Sequence, residues 1–131
     1  MGDVLHLAIG AALVSLGAAA GTPLRFLVAN VVSQKIGETF PWGTLVVNVS
    51  GCVAMGLIGA YAARHGLSAE SEVWLLVATG FLGSYTTVSS FALQTLALAR
   101  GGESRGALGY IVLSVVLCLG AVALGFAGGS L

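Results

Sequence analysis

Residues 86–91, Thr-Thr-Val-Ser-Ser-Phe, set four hydroxyls side by side within a stretch from 73 to 99 that has no charged side chain. Hydroxyls are neutral hydrogen-bonding groups, and a membrane interior offers them no water. Asn48 adds an amide with two N–H donors, in the run Gly43-Thr44-Leu45-Val46-Val47-Asn48-Val49-Ser50-Gly51. Helical spacing puts Asn48, Gly51, Cys52 and Met55 on one face with Thr44 a turn earlier, a stripe suited to lining a groove or bridging helices. Arg25, after Gly21-Thr22-Pro23-Leu24, is the only cation inside an apolar stretch. Its stem is long enough to snorkel to the interface, and its charge equally suits the mouth of an anion pathway. With Thr79 and Ser114, these residues form a set of donors without a carboxylate, an inventory that favours an anion.

Enzymatic chemistry finds little support. His6 and His65 lie far apart in the chain, no carboxylate lies inside an apolar stretch, and no His/Cys/Asp group has metal-ligand spacing. A formal net charge of zero and the absence of a basic run remove the footprint that nucleic-acid binding requires.

The elements that must position these groups are membrane helices. Charged residues are 8% of the chain and the mean hydropathy is +1.02, incompatible with a water-facing surface. Four apolar stretches, residues 4–32, 43–63, 73–99 and 107–127, each meet the roughly 20 residues needed to cross a bilayer. The expectation is an all-α membrane protein, a single four-helix transmembrane domain over residues 1–131. No basic region precedes the first stretch, so no cleaved signal peptide is expected. Trp42 and Trp74 open the second and third spans as interface anchors, and Cys52 and Cys118, both within spans, read as packing residues.

Gly80 and Gly83 followed by Thr86 and Thr87 make poor continuous helix, which predicts a third helix broken near mid-membrane with freed carbonyls. The alternative is an unbroken helix whose hydroxyls bond back to the preceding turn. Small residues four apart, Gly17 and Gly21, Gly80 and Ser84, Gly125 and Gly129, predict close helix packing. Lys35, Arg100 and Arg105 in the first and third connectors against Arg64 in the second favour those two connectors in the cytoplasm. So small a bias permits insertion both ways. A four-helix subunit encloses little volume, so transport calls for an oligomer, and dual insertion makes it antiparallel.

The segments Trp42-Gly43-Thr44-Leu45-Val46-Val47-Asn48, Gly80-Phe81-Leu82-Gly83, Thr86-Thr87 and Ser89-x-Phe91, with Gly21 and Arg25-Phe26 before them, resemble the Fluc/CrcB family of fluoride channels over nearly the whole chain. The resemblance implies an antiparallel, dual-topology homodimer in a bacterial-type plasma membrane, with two pores that passively let fluoride leave the cytoplasm. It implies a pathway through Asn48, Phe91, Ser114, Thr44, Thr87 and Cys118, with Arg25 near the vestibule. It further implies a central structural Na⁺ held by the backbone carbonyls of Gly83 and Thr86 from both subunits.

Two positions depart from the family pattern. Cys118 stands where a hydroxyl is usual, which weakens that contact. Val88 replaces the first phenylalanine of Thr-Thr-Phe-Ser-x-Phe, leaving Phe91 as the one ring whose positive edge can face an anion, with Tyr85 as a candidate substitute.

Physical chemistry agrees with the assignment. Fluoride holds its water tightly, so successive donors must replace that water without trapping the ion, and a central cation would add positive potential from a distance. Two competing readings are weaker. A small drug-exporting proton antiporter needs a membrane-embedded carboxylate, and Asp3, Glu38, Glu70, Glu72 and Glu103 all lie outside the stretches. A noncatalytic membrane assembly subunit explains the glycines and leaves the hydroxyl cluster without a purpose.

Overall fold

The computed structural model describes residues 1–131 and is entirely helical. Helix α1 spans Gly2–Ile36 and α2 spans Trp42–His65. The third membrane stretch is divided. Its first part, α3, runs through three consecutive pieces, Glu72–Trp74, Leu75–Leu82 and Gly83–Tyr85; its second, α4, is Val88–Arg100. Helix α5 is Ser104–Ser130. Taken with α3 and α4 as one span, four helical stretches are long and apolar enough to cross a bilayer.

Only 20 of 131 residues are buried, and leucines such as Leu7 and Leu124 are about three-quarters exposed, so a broad apolar core does not hold the helices together. Lipid tails are as apolar as leucine, which leaves close backbone approach as the main source of cohesion. At the α1–α3 contact a Cβ on Gly17 would stand 2.6 Å from the Phe81 nitrogen and 2.9 Å from the Gly80 carbonyl carbon. Gly21 meets Ser84 and the Phe81 carbonyl. The two expected small-residue faces therefore pack on each other. The third, Gly125 and Gly129, packs on Gly56 and Ala60 of α2, a partner face that the spacing of those residues also allowed. Because Gly56 pairs with Gly125 and Ala60 with Gly129, α2 and α5 run parallel.

Arg64 closes the far end of this pair. Its Nη1 and Nη2 donate to the carbonyls of Gly129 at 3.1 Å and Ser130 at 3.0 Å, groups that a helix C-terminus otherwise leaves unmatched. Arg64→Ala is expected to lower the thermal midpoint in detergent, at a cost of about 1 kcal/mol for exposed bonds of this kind. An unchanged midpoint would show that lipid or water serves these carbonyls equally well.

The break lies later than the glycines alone suggested. Gly80 and Gly83 stay helical, and the chain leaves the helix at Thr86 (φ −78°, ψ 162°) and Thr87 (φ −152°, ψ 124°). Two reasons combine: Gly80 is held by its contact with Gly17, and β-branched threonines favour extended backbone. Leu75–Leu82 forms wide, π-helical turns that lead into the break. Back-bonding also occurs, since the Thr86 hydroxyl donates to the Leu82 carbonyl at 3.0 Å, but the helix does not continue beyond it. Thr87 then restarts the chain as the cap of α4, its Oγ1 accepting from the Ser90 N–H at 3.1 Å.

Candidate functional site

Asn48 and Thr87 form the centre of the site. The Asn48 amide donates from Nδ2 to the Thr87 carbonyl at 2.9 Å, and its Oδ1 accepts from the Thr87 N–H at 2.8 Å. A side-chain amide thus serves both backbone groups of an extended residue, as the peptide of a neighbouring strand would. Both readings of Asn48 meet here. It bridges helices, and one of its two N–H donors remains uncommitted. Around it the hydroxyls of Thr87, Ser89 and Ser90 form a local chain with oxygen separations of 3.2 Å.

Arg25, Thr44 and Thr87 come together with Ser90 and Gln94 around a cavity of about 220 Å³. No carboxylate lines it, so Arg25 supplies its one formal charge. The guanidinium carbon sits 5.3 Å from the centre of the Phe26 ring, a cation–π contact that steadies the side chain. A larger cavity of about 500 Å³ shares Asn30, Ser33, Pro41 and Gln94 with the first and is lined further out by residues of the first and third connectors. Glu38 and Glu103 line this outer part. A polar route therefore leads from one membrane face to the break, negative at its rim and positive within.

Phe91 packs against Tyr110 with ring centres 5.2 Å apart. Tyr110 is fully buried and donates to Gln94 Oε1 at 3.1 Å. Neither Tyr110 nor Gln94 stands out in the sequence as a site residue, although an amide at position 94 of an uncharged span was a readable signal. Tyr85 does not stand in for the missing phenylalanine: its hydroxyl lies 2.9 Å from Ser50 Oγ, and its ring sits in the small core with Val47 and Leu82.

A polar seam runs between the parallel helices α2 and α5. The α2 face of Gly56 runs back through Cys52, Asn48 and Thr44, and the α5 face of Gly125 runs back through Cys118, Ser114 and Tyr110. Asn48 and Ser114 stand midway along these two faces, each four residues from its neighbours on either side. Ser114 is 7% exposed and its hydroxyl has no hydrogen-bond partner. Gly83 and Thr86 do not line the Arg25 cavity, and the Thr86 methyl packs on Gly51 of α2. Gly83 is exposed on the outside of the subunit, as is Val88 at 79%. Because α3 stops at Tyr85, the carbonyls of its last turn beyond Leu82, which accepts from the Thr86 N–H, lack helical donors.

The sequence pattern of the family described as CrcB-like protein, Camphor Resistance (CrcB), matches residues 12–126. The chain belongs to the CrcB family. Among similar CrcB relatives, a protein of Rhodopseudomonas palustris (strain BisB18) named fluoride-specific ion channel FluC 2 is 58% identical over 119 residues, covering 90% of this chain and 91% of that one. Another so named, from Bradyrhizobium diazoefficiens, is 46% identical over 127 residues, 96% of this chain and 93% of its own. Fluoride-specific ion channel FluC 3 of Brucella suis biovar 1 is 46% identical over 117 residues, 88% of each. With its four membrane-length helices, this CrcB protein is a multi-pass protein of the inner membrane.

Proposed function

We propose that the chain is a passive, fluoride-selective channel. The carrying observation is the Ser114 hydroxyl, buried and unpaired on the α5 face that packs on the α2 face carrying Asn48, whose amide keeps a spare N–H. An unmatched buried polar group costs roughly 1–3 kcal/mol, and a small desolvated anion accepting from it removes that cost. Fluoride, compact and a strong acceptor, gains most from such donors. Arg25 supplies positive potential before the seam, and the Phe91 edge extends the donor series. The printed names of the relatives agree with this reading.

The working form is an antiparallel, dual-topology homodimer with two pores and a central structural Na⁺. The outward positions of Gly83 and Val88 support a second copy against the break, and the unmatched carbonyls of α3 there suit a cation. Gly83 and Thr86 would hold the ion, which fixes the two breaks together and adds positive potential beside the pathways.

Fluoride efflux from liposomes, read by electrode with chloride as comparison, tests the channel. Ser114→Ala is expected to slow efflux about 10- to 100-fold, the worth of one hydrogen bond to an ion, while leaving the thermal midpoint unchanged or higher. Full efflux in this variant would remove Ser114 from the pathway. Val88→Phe restores the second ring at a position with little cover from its own subunit, and is expected to speed efflux about two- to tenfold without altering subunit stability. Slower efflux would mean that the native chain uses the space at Val88.

A further inference from the structure

Cys52 and Cys118 are both free thiols, partly exposed, and helical spacing puts them on the facing sides of α2 and α5, four residues before Gly56 and seven before Gly125, which pack on each other. Neither helix can easily carry its thiol away. One turn beyond Cys52, a Cβ on Gly56 would stand 2.6 Å from the Phe126 nitrogen, so the backbones of α2 and α5 are locked close together just past the pair. On the other side, four residues before Cys118, lies the unpaired Ser114 hydroxyl. The pair thus continues the polar faces that carry the Asn48 amide and the Ser114 hydroxyl, and it does so with sulfur where those residues offer oxygen and nitrogen.

We propose that Cys52 and Cys118 lie close enough to form a two-sulfur site for soft, two-coordinate metal ions, Cu(I), Ag(I) and Hg(II), and that filling it stops the movement of fluoride. Soft thiolates select such ions. No group of three or more His, Cys, Asp or Glu side chains is gathered anywhere to complete a shell for harder metals, and Zn²⁺ in particular wants four ligands. Charge favours the same choice. A monovalent ion replaces one thiol proton and leaves the second thiol protonated, and mercuric chloride replaces two protons and releases two chlorides. In each case the bound complex is neutral, as a membrane interior demands. The neutral dichloride also reaches the site without carrying charge through an anion pathway.

The block rests on the channel reading above; the metal site does not. The test titrates mercuric chloride into purified protein, weighs the intact complex by native mass spectrometry, counts remaining thiols with maleimide, and follows efflux in matched liposomes. The expected result is one mercury per chain with both thiols consumed, and loss of efflux at that stoichiometry, while Zn²⁺ leaves efflux unchanged. Cys52→Ser and Cys118→Ser should each release mercury to a competing monothiol that the native pair resists, each judged against its own metal-free rate. Two mercuries per chain, equal retention by either single variant, or an equal effect of Zn²⁺ would overturn the paired site. Bridging with undiminished efflux would take the pair out of the pathway. Bridging in a protein that releases no fluoride even without metal would uphold the site and overturn the channel instead.

Discussion

Asn48→Ala is expected to abolish fluoride efflux and lower the thermal midpoint together. The substitution strips the Thr87 N–H and carbonyl of their partners in a residue that is only 8% exposed. Two buried groups at roughly 1–3 kcal/mol each give a loss of about 2–6 kcal/mol. Conduction fails for two reasons: the spare amide donor is gone, and the extended segment at Thr86 and Thr87 no longer has a fixed position. Asn48→Asp separates the causes. It retains the acceptor for the Thr87 N–H, loses the donor to the carbonyl, and brings a negative charge to the path of an anion, so efflux should stay absent even where folding partly recovers. A stable Asn48→Ala protein with full efflux would show that the amide neither holds the break nor serves the ion.

Gly56→Ala is expected to be almost as damaging although Gly56 lines neither cavity of the polar route. The added Cβ would collide with the Val122 carbonyl and stand 2.6 Å from the Phe126 nitrogen and 2.9 Å from the Gly125 carbonyl carbon. All of these are backbone, which cannot swing aside as a side chain would. Overpacking costs about 1–3 kcal/mol, and separating α2 from α5 also parts the two faces that carry Asn48 and Ser114. Efflux and thermal midpoint should drop together. Gly120→Ala on α5 provides the contrast, since its Cβ would meet nothing within 4 Å; helix propensity predicts a neutral effect or a gain of about 0.5–1 kcal/mol. Equal behaviour of the two variants would refute the packing argument.

The features legible in the sequence are those that a bilayer enforces. Four long apolar stretches had to become helices because hydrocarbon leaves backbone groups no other economical partner. Gly17 with Gly21 and Gly80 with Ser84 were legible for a similar reason, small residues being what permits backbone approach. The break was legible as a weak stretch of two glycines and two threonines, and the fold places it at the threonines because the glycine Gly80 is held by α1. The π-helical turns of Leu75–Leu82 left no trace, since a stretch apolar on every side carries no phase from which to read residues per turn. Tyr110 was hidden likewise: an aromatic among aliphatics looks like packing until its hydroxyl is seen beside Gln94. Arg25, Thr44 and Thr87 were named separately, and only the fold brings them around one cavity.

The amide clamp on Thr87 has a counterpart in the order of synthesis. Asn48 leaves the ribosome well before Thr87, and α1, which carries the glycine face that receives α3, leaves earlier still. When the discontinuous segment first enters lipid, both surfaces that accommodate it have already been made. A chain with these helices in the reverse order would bring a bare peptide group into the bilayer and leave it waiting for its partner. The sequence order thus acts as an assembly programme, in which the irregular part of the backbone arrives after the helices that make it tolerable and before α5 closes the seam.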